Sequence, residues 1–202
     1  MTYPGHASRC DAITPFIVME ILEKIHQMES RGIDVVHMEI GEPDFCVPQC
    51  IDQAVTSAFE CNETSYTHSL GDIQLREAIS RYHKDKYGTR VRSDQILITS
   101  GTSPAMLLLF SALLNPGDEV IISDPHYACY ANFINYVQGV PVTVPVFESE
   151  GFVFTPEAIE EKITPRTRAI FINSPSNPTG NIIPKHRMEQ IVDVAKQHSL
   201  YI

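Results

Sequence analysis

The sequence predicts an α/β protein with a mainly parallel sheet, and two observations support that fold class. From residue 95 onward, short apolar segments rich in branched residues alternate with longer segments of helical periodicity. This alternation is typical of strands joined by crossover helices, which place the strands parallel. The chain has 202 residues, of which 43% are hydrophobic and 20% charged, so it is long and apolar enough to bury a sizeable core.

The first ninety residues predict three helices and one strand. An amphipathic helix over residues 14–31 has four apolar residues near one face, namely Ile17, Ile21, Ile25 and Met28. The apolar run at residues 35–40 predicts a strand. A second helix beginning at Pro48 is expected to bury its apolar residues, namely Ile51, Ala54, Val55, Ala58 and Phe59. Asp72 is a suitable N-cap for a third helix, which Gly88 ends.

A strand over residues 96–99 is predicted to lead through a tight turn into a long helix. Gly101 permits the sharp turn, Thr102 or Ser103 can cap the helix, and Pro104 suits its first position. Free N–H groups, two hydroxyls and the positive end of the helix dipole would meet at this point, which suits a phosphate. An ordinary capped turn between strand and helix remains the alternative.

The alternation continues to the end of the sequence. The predicted strands cover residues 120–123, 140–146 and 168–173. The predicted helices cover residues 127–137, 155–163 and 184–199. The turns at Ser100, Asp124 and Ser174 each follow a predicted strand, so they should lie at one edge of the sheet, where ligands bind in parallel α/β proteins.

Composition argues against several classes of function. The formal net charge is −10 and no basic run is present, so neither nucleic acid nor an anionic membrane is expected as a partner. No stretch approaches the roughly 18 apolar residues of a membrane span, and the first residues lack a signal-peptide pattern. The five irregularly spaced cysteines suggest reduced thiols in the cytoplasm, and the eight histidines lack metal-ligand spacing, so no metal is expected.

Five motifs occur in a familiar order and spacing. They are GEPDF at residues 41–45, Tyr66–Thr67 followed by Gly71 and Leu75–Arg76, SGTS at 100–103, DPHY at 124–127 and NPTG at 177–180. Together they resemble the class I pyridoxal-phosphate aminotransferases of fold type I, in particular the branch that acts on aspartate, alanine or aromatic amino acids. The resemblance implies pyridoxal phosphate as cofactor, an amino acid and a 2-oxo acid as substrates, and a homodimer.

The resemblance also implies a domain arrangement. Members of the family are roughly twice this length, so the chain resembles their N-terminal half. Residues 1–45 would form the N-terminal arm and part of the small domain. Residues 46–202 would form the first part of an incomplete large domain that binds pyridoxal phosphate, with a mainly parallel sheet flanked by helices.

Matching positions in the family imply roles for individual residues. The residues implied to hold the cofactor phosphate are Gly101, Thr102 and Ser103. Tyr127 matches the aromatic residue that lies over the pyridine ring, and without the resemblance it would be a core aromatic at a helix start. Asn177 matches the residue that donates a hydrogen bond to the 3′ oxygen, and the family suggests a cis bond to Pro178. Otherwise Asn177 simply forms an Asn-Pro turn.

Two further positions are implied near the substrate or the dimer interface. Tyr66 matches a tyrosine that reaches the cofactor phosphate of the neighbouring subunit, and its alternative is an ordinary loop tyrosine. Gly41 matches a backbone position near the substrate carboxylate, and its alternative is a loop glycine. Cys46 stands where relatives often carry threonine, and packing explains it adequately.

The catalytic groups of the family have no match in this chain. Transamination needs a Schiff-base lysine, a carboxylate on the pyridine nitrogen and an arginine for the substrate carboxylate. In the family all three follow the helix that here holds Lys185. The lysines of the chain lie on helical or solvent-facing patterns, and none matches the Schiff-base position: Lys24, Lys84, Lys86, Lys162, Lys185 and Lys196. We therefore assign no catalytic residue and expect the chain alone to be inactive and to self-associate.

Other classes of function remain as alternatives. The chain could be a non-catalytic binding or regulatory module that kept the cofactor seat, or it could serve lyase chemistry on the same fold. A different α/β nucleotide binder is disfavoured because neither GxGxxG nor GxxxxGK[ST] is present.

Overall fold

The computed structural model describes residues 5–202. The chain forms two compact units, one made of the described residues up to Met19 together with Ser103–Ile202, the other of Glu20–Thr102. The seven α-helices of the described residues are α1 Ile17–Glu29, α2 Gln49–Glu60, α3 Ile73–Tyr87, α4 Thr102–Leu113, α5 Cys129–Tyr136, α6 Pro156–Glu160 and α7 Lys185–Gln197. Within residues 5–202 no helix is both long and apolar enough to cross a bilayer.

The first unit is built on a parallel sheet, as the sequence predicts. Its strands are β1 Glu119–Asp124, β2 Val140–Pro145 and β3 Thr167–Ile170, in the order β2-β1-β3. Both pairings are parallel, and an isolated parallel bridge joins Ala169 to Tyr201. The alternation of apolar strands and amphipathic helices therefore identified the architecture correctly.

The central strand β1 is buried on both faces. Val120, Ile121 and Ile122 are almost completely inaccessible, and successive side chains point to opposite faces of a strand. Ile121 joins one apolar cluster with residues of β2, β3, α6 and α7. Val120 and Ile122 join a second cluster with residues of α4 and α5. We call these the first and second clusters, and the second one supports the candidate site.

Several predicted elements were confirmed with boundaries shifted by at most three residues. The third helix matches closely, since the Asp72 side chain accepts a hydrogen bond from the Leu75 amide and Gly88 adopts the left-handed conformation. The fourth begins at Thr102, so Pro104 is its third residue and neither Thr102 nor Ser103 precedes the helix as a cap.

Three expectations for the second unit were wrong. Residues 35–40 and 96–99 form no strand, because neither finds a partner strand among residues 5–202; the Ile98 amide instead donates to the Leu70 carbonyl. The helix expected after Pro48 forms as α2, but its apolar face is open. The exposed fractions along that face are 51% for Ile51, 52% for Val55 and 67% for Phe59.

A buried carboxylate ties the beginning of β1 to the beginning of β3. Glu119 Oε2 accepts from the hydroxyls of Thr164 at 2.6 Å and Thr167 at 3.2 Å. Glu119 Oε1 accepts from Arg166 Nη2 at 2.7 Å and Nε at 3.1 Å. Burial alone would raise the pKa of this carboxyl, but the hydrogen bonds from Thr164, Arg166 and Thr167 outweigh it and lower the pKa.

Replacing this carboxylate should therefore reduce stability in a pH-dependent way. A carboxyl whose pKa is lowered on folding stabilises the protein above its unfolded pKa of about 4.3, and that contribution is lost as pH falls through the folded pKa. We expect Glu119→Gln to lower the free energy of unfolding by about 1–3 kcal/mol at pH 7. Urea titrations at pH 7, 5 and 4 should show this difference shrinking with acid.

The matched control is Glu148→Gln, because Glu148 is exposed and belongs to the same unit. This variant should unfold within about 0.5 kcal/mol of the original protein at each pH. Equal stability of the Glu119→Gln variant and the original protein at pH 7 would show that the network contributes nothing.

Candidate functional site

The first turn of α4 presents donors suited to an anion. Gly101 has φ of +102°, a conformation that favours glycine, and its carbonyl accepts from the Thr99 hydroxyl at 2.7 Å. Thr102 and Ser103 are the first two residues of the helix, and all three residues of the predicted cradle are exposed. Since the first amides of a helix have no intrahelical acceptor, they remain available to a ligand.

Tyr127 lies in the turn between β1 and α5. The turn is held locally, since the Ser123 hydroxyl donates to the Pro125 carbonyl and the His126 ring lies 2.8 Å from the Ser123 carbonyl. The Tyr127 ring is half-buried, with the Tyr130 ring edge-on at 5.4 Å and the Phe16 ring edge-on at 6.0 Å. Two aromatic edges thus fix the plane of this ring.

The Tyr127 phenol is kept in its neutral form. A side-chain hydrogen bond with Cys129 is the largest cause that raises its pKa, and partial burial adds to it. Because the unperturbed pKa is already about 10, the phenol stays protonated at physiological pH. The ring can therefore act as a flat, uncharged surface for an aromatic ligand.

Asn177 lies on an exposed loop that is closed by hydrogen bonds between its own backbone groups. The Ser176 amide donates to the Asn181 carbonyl at 2.8 Å, and the Gly180 amide donates to the Ser176 carbonyl at 2.7 Å. The peptide bond from Asn177 to Pro178 is cis, as the resemblance implies. The Thr179 hydroxyl is buried with no hydrogen-bond partner in the part of the chain that the structure describes.

The second cluster anchors two of the predicted segments directly. α4 contributes Met106 and Phe110, and Tyr127 packs against the same cluster. The Phe171 ring, just beyond β3, lies 5.7 Å from Phe110 and 4.6 Å from Tyr130. The start of α4 and the Tyr127 turn are therefore held by one apolar cluster, and the loop that carries Asn177 follows the end of β3, whose Ala169 belongs to it. Asp124 and Ser174 follow parallel neighbours β1 and β3, so for these two turns the predicted common edge is confirmed.

Other predicted site residues lie in the second unit. Gly101 and Thr102 are contiguous with Ser103 but belong to that unit, as do Tyr66 and Gly41. Tyr66 is fully exposed to solvent, and Gly41 is exposed. Their roles therefore stay predictions.

No sequence pattern predicts an asparagine clamp beside the site. Asn132 on α5 accepts from the Thr14 amide at 3.0 Å and donates to the Thr14 carbonyl at 2.8 Å, as a paired strand would. Asn135, one turn later, donates to the Ala12 carbonyl at 3.3 Å. The clamp holds the segment that places Phe16 against Tyr127.

A cavity of about 480 Å³ lies beside this clamp in the first unit. Its walls are residues 14–18, the turn at residues 124–126, and Ala128, Ala131 and Asn132 of the following segment. It is large enough for a small organic molecule. The Tyr127 turn thus borders space that a small ligand could occupy.

Comparison with known proteins defines the class of this chain. The family model described as aminotransferase class I and II matches residues 33–202. The chain therefore belongs to the class I and II aminotransferases, as its five motifs and its fold indicated.

Individual relatives support the same family. The chain is 35% identical over 198 residues to the aspartate/prephenate aminotransferase of Thermus thermophilus, covering 98% of this chain and 51% of that protein. It is 41% identical over 188 residues to the (5-formylfuran-3-yl)methyl phosphate transaminase of Methanocaldococcus jannaschii, covering 93% and 47%. The solved Thermus thermophilus aspartate aminotransferase with maleate superposes with a TM-score of 0.94 at 35% identity, covering 98% and 52%. The chain thus spans about half the length of the relatives it matches.

Removing the asparagine clamp should loosen the segment at residues 14–16. Asn132→Ala deletes both partners of Thr14, so we expect the Thr14 amide to exchange with deuterium about tenfold faster, in line with a lost hydrogen bond of about 1.4 kcal/mol. Asn135→Ala removes a single longer bond and should change exchange there by about threefold or less. If the Thr14 amide exchanged at the same rate in both variants and in the original protein, Asn132 would not hold this segment.

Proposed function

We propose that this chain forms the cofactor-seating part of a pyridoxal-phosphate-dependent aminotransferase, which moves an amino group between an amino acid and a 2-oxo acid. The family match over residues 33–202 carries the proposal, and the anchoring of the start of α4 and of Tyr127 through one apolar cluster supports it. In such enzymes the bound cofactor supplies an electron sink for the substrate. Residues 1–45 would belong to the N-terminal arm and small domain, and residues 46–202 to the large domain.

The residues present suit the parts of this cofactor. The amides and hydroxyls of Gly101, Thr102 and Ser103 would donate to the phosphate, aided by the helix dipole. Tyr127 would stack on the pyridine ring, since its own plane is fixed by two aromatic neighbours. Asn177 would donate to the 3′ oxygen and stabilise negative charge there. The Thr179 hydroxyl, two residues further on in the same loop, has no hydrogen-bond partner within residues 5–202.

Partners and location follow from the same proposal. A homodimer would cover the open apolar face of α2, formed by Ile51, Val55 and Phe59, which a monomer would leave in water. In that dimer Tyr66 would reach the partner's cofactor phosphate, and Gly41 would lie near the substrate carboxylate. All five cysteines are free, which fits a reducing compartment such as the cytoplasm.

The stacking role of Tyr127 predicts a specific binding defect. Tyr127→Ala removes the ring and should weaken the affinity for pyridoxal phosphate about tenfold, because aromatic stacking contributes about 0.5–1.5 kcal/mol in addition to the buried area. Tyr127→Phe keeps the ring and should bind within about twofold of the original protein, since stacking does not need the hydroxyl. Absorbance titration with pyridoxal phosphate measures both constants.

The outcome that contradicts this role is equal affinity in all three proteins. Far-UV circular dichroism should first confirm that Tyr127→Ala folds, because the ring packs against the second cluster. If Tyr127→Phe lost as much affinity as Tyr127→Ala, the hydroxyl rather than the stacked ring would be responsible.

The absence of a matching lysine predicts no transamination by this chain alone. Lys185, the lysine nearest the NPTG loop, is 90% exposed and lies 3.8 Å from Glu189 one helical turn away, so it is solvated. We expect no glutamate from 2-oxoglutarate and aspartate or another amino acid when pyridoxal phosphate is supplied. Borohydride treatment followed by peptide mass spectrometry should find no single preferred lysine.

The matched comparison is a full-length aspartate aminotransferase assayed under the same conditions. Robust turnover by the chain itself, or borohydride fixation at one lysine, would contradict the proposal. Binding of pyridoxal phosphate without turnover would agree with it.

A further inference from the structure

The end of α3 and the segment that follows it border a small, open cationic pocket in the second unit. Its volume is about 290 Å³, and its lining residues are Ser80, Arg81, Lys84, Arg90, Val91 and Arg92. Four of these six side chains are positively charged, although the chain as a whole has a formal net charge of −10. Such a local excess of cations raises the local concentration of anions.

A helix-ending turn brings the two walls of this pocket together. Gly88 adopts φ of +69°, and its amide donates to the Lys84 carbonyl at 3.0 Å. The bond from Gly88 to Lys84 is that of an αL motif, and the Thr89 amide also donates to the His83 carbonyl at 3.3 Å. The turn ends α3 and leads into the segment that carries Arg90 and Arg92.

Two hydrogen bonds then fix that segment against α3. The Ser80 hydroxyl donates to the Val91 carbonyl at 2.5 Å. The buried Arg76 donates from Nη1 to the Ser93 carbonyl at 2.9 Å and from Nε to the Gly71 carbonyl at 3.1 Å. The separation of the two cationic walls is therefore set by side-chain hydrogen bonds from α3 to the backbone of the following segment.

Three of the four cations have no acidic partner within residues 5–202. Arg92 forms a bidentate pair with Asp94, with both distances 2.9 Å, and this pair raises the pKa of Arg92 and lowers that of Asp94. Arg81, Lys84 and Arg90 have no carboxylate within 4.0 Å among the residues described. The pocket lining itself contains no carboxylate.

We propose that this pocket binds a small polyphosphate anion. Guanidinium groups match the oxygens of phosphate with paired hydrogen bonds, and an ammonium adds a point charge. Because a single exposed ion pair contributes little, an anion must engage several cations at once to bind measurably. A linear triphosphate spans several phosphates and fits a pocket at the lower end of the size range of small-ligand sites.

The test is calorimetric titration of the full chain with inorganic tripolyphosphate at low ionic strength. We expect saturable binding that Arg81→Gln/Arg90→Gln weakens at least about tenfold. The matched control is Lys24→Gln/Arg31→Gln, which removes the same charge from exposed positions of the same unit outside the pocket. This control should bind within about twofold of the original protein, since neither residue lines the pocket and neither pairs with the anion directly.

A measurement on the unaltered protein locates the bound anion. Tripolyphosphate should slow the modification of Arg81 and Arg90 by phenylglyoxal, as followed by peptide mass spectrometry, and leave Arg31 unaffected. Pyridoxal phosphate, with a single phosphate, should bind this pocket at least about tenfold more weakly.

Three results would overturn the proposal. They are absence of saturable binding, equal loss of affinity in both double variants, and equal affinity of the pocket for tripolyphosphate and pyridoxal phosphate. The pocket shares no residue with the candidate cofactor site, so its failure and that of the proposed function are distinguishable.

Discussion

The burial of β1 on both faces is the constraint on which the first unit depends. A strand with Val120, Ile121 and Ile122 all inaccessible must be covered by helices on each side, and its residues thereby divide the core into two clusters. Nearly continuous apolar burial leaves polar groups only at the ends of the strand. The beginning of β1 is closed by Glu119, whose two oxygens have four donors. The other end leads into the Tyr127 turn and remains open.

This difference between the two ends explains where function is expected. At the closed end, every acceptor position of the carboxylate is used within the protein, so the network contributes stability and order. At the open end, parallel neighbours β1 and β3 lead into loops with polar side chains, as in other α/β sheets that bind ligands there. The second cluster contributes both to the core and to the candidate site, because its aromatic rings fill the core and also orient Tyr127.

The sequence predicted those elements whose signals are local or repeated. Alternation identified the sheet and its parallel strands, and Asp72 and Gly88 marked both ends of α3 through their own backbone chemistry. The strand predictions at residues 35–40 and 96–99 were wrong, because an apolar run becomes a strand only when another strand pairs with it. The prediction that α2 buries its apolar face was wrong for a similar reason. Periodicity identifies an apolar face but does not show whether another element covers it. The Asn132 clamp was missed because one asparagine in a helix gives no pattern.

The two proposed anion sites differ in physical kind, although both lie on an acidic chain. At the start of α4 the donors are amides and hydroxyls, so the attraction comes from fixed dipoles and hydrogen bonds of defined direction. In the pocket beside α3 the attraction comes from full charges on long side chains, and a hydrogen bond from Arg76 to Ser93 holds the segment that carries two of them. Salt screens exposed full charges and the helix dipole alike, whereas the direction of a hydrogen bond does not depend on salt. Binding of polyphosphate should therefore fall more steeply with ionic strength than binding of the proposed cofactor phosphate at α4, where directed hydrogen bonds add to the attraction.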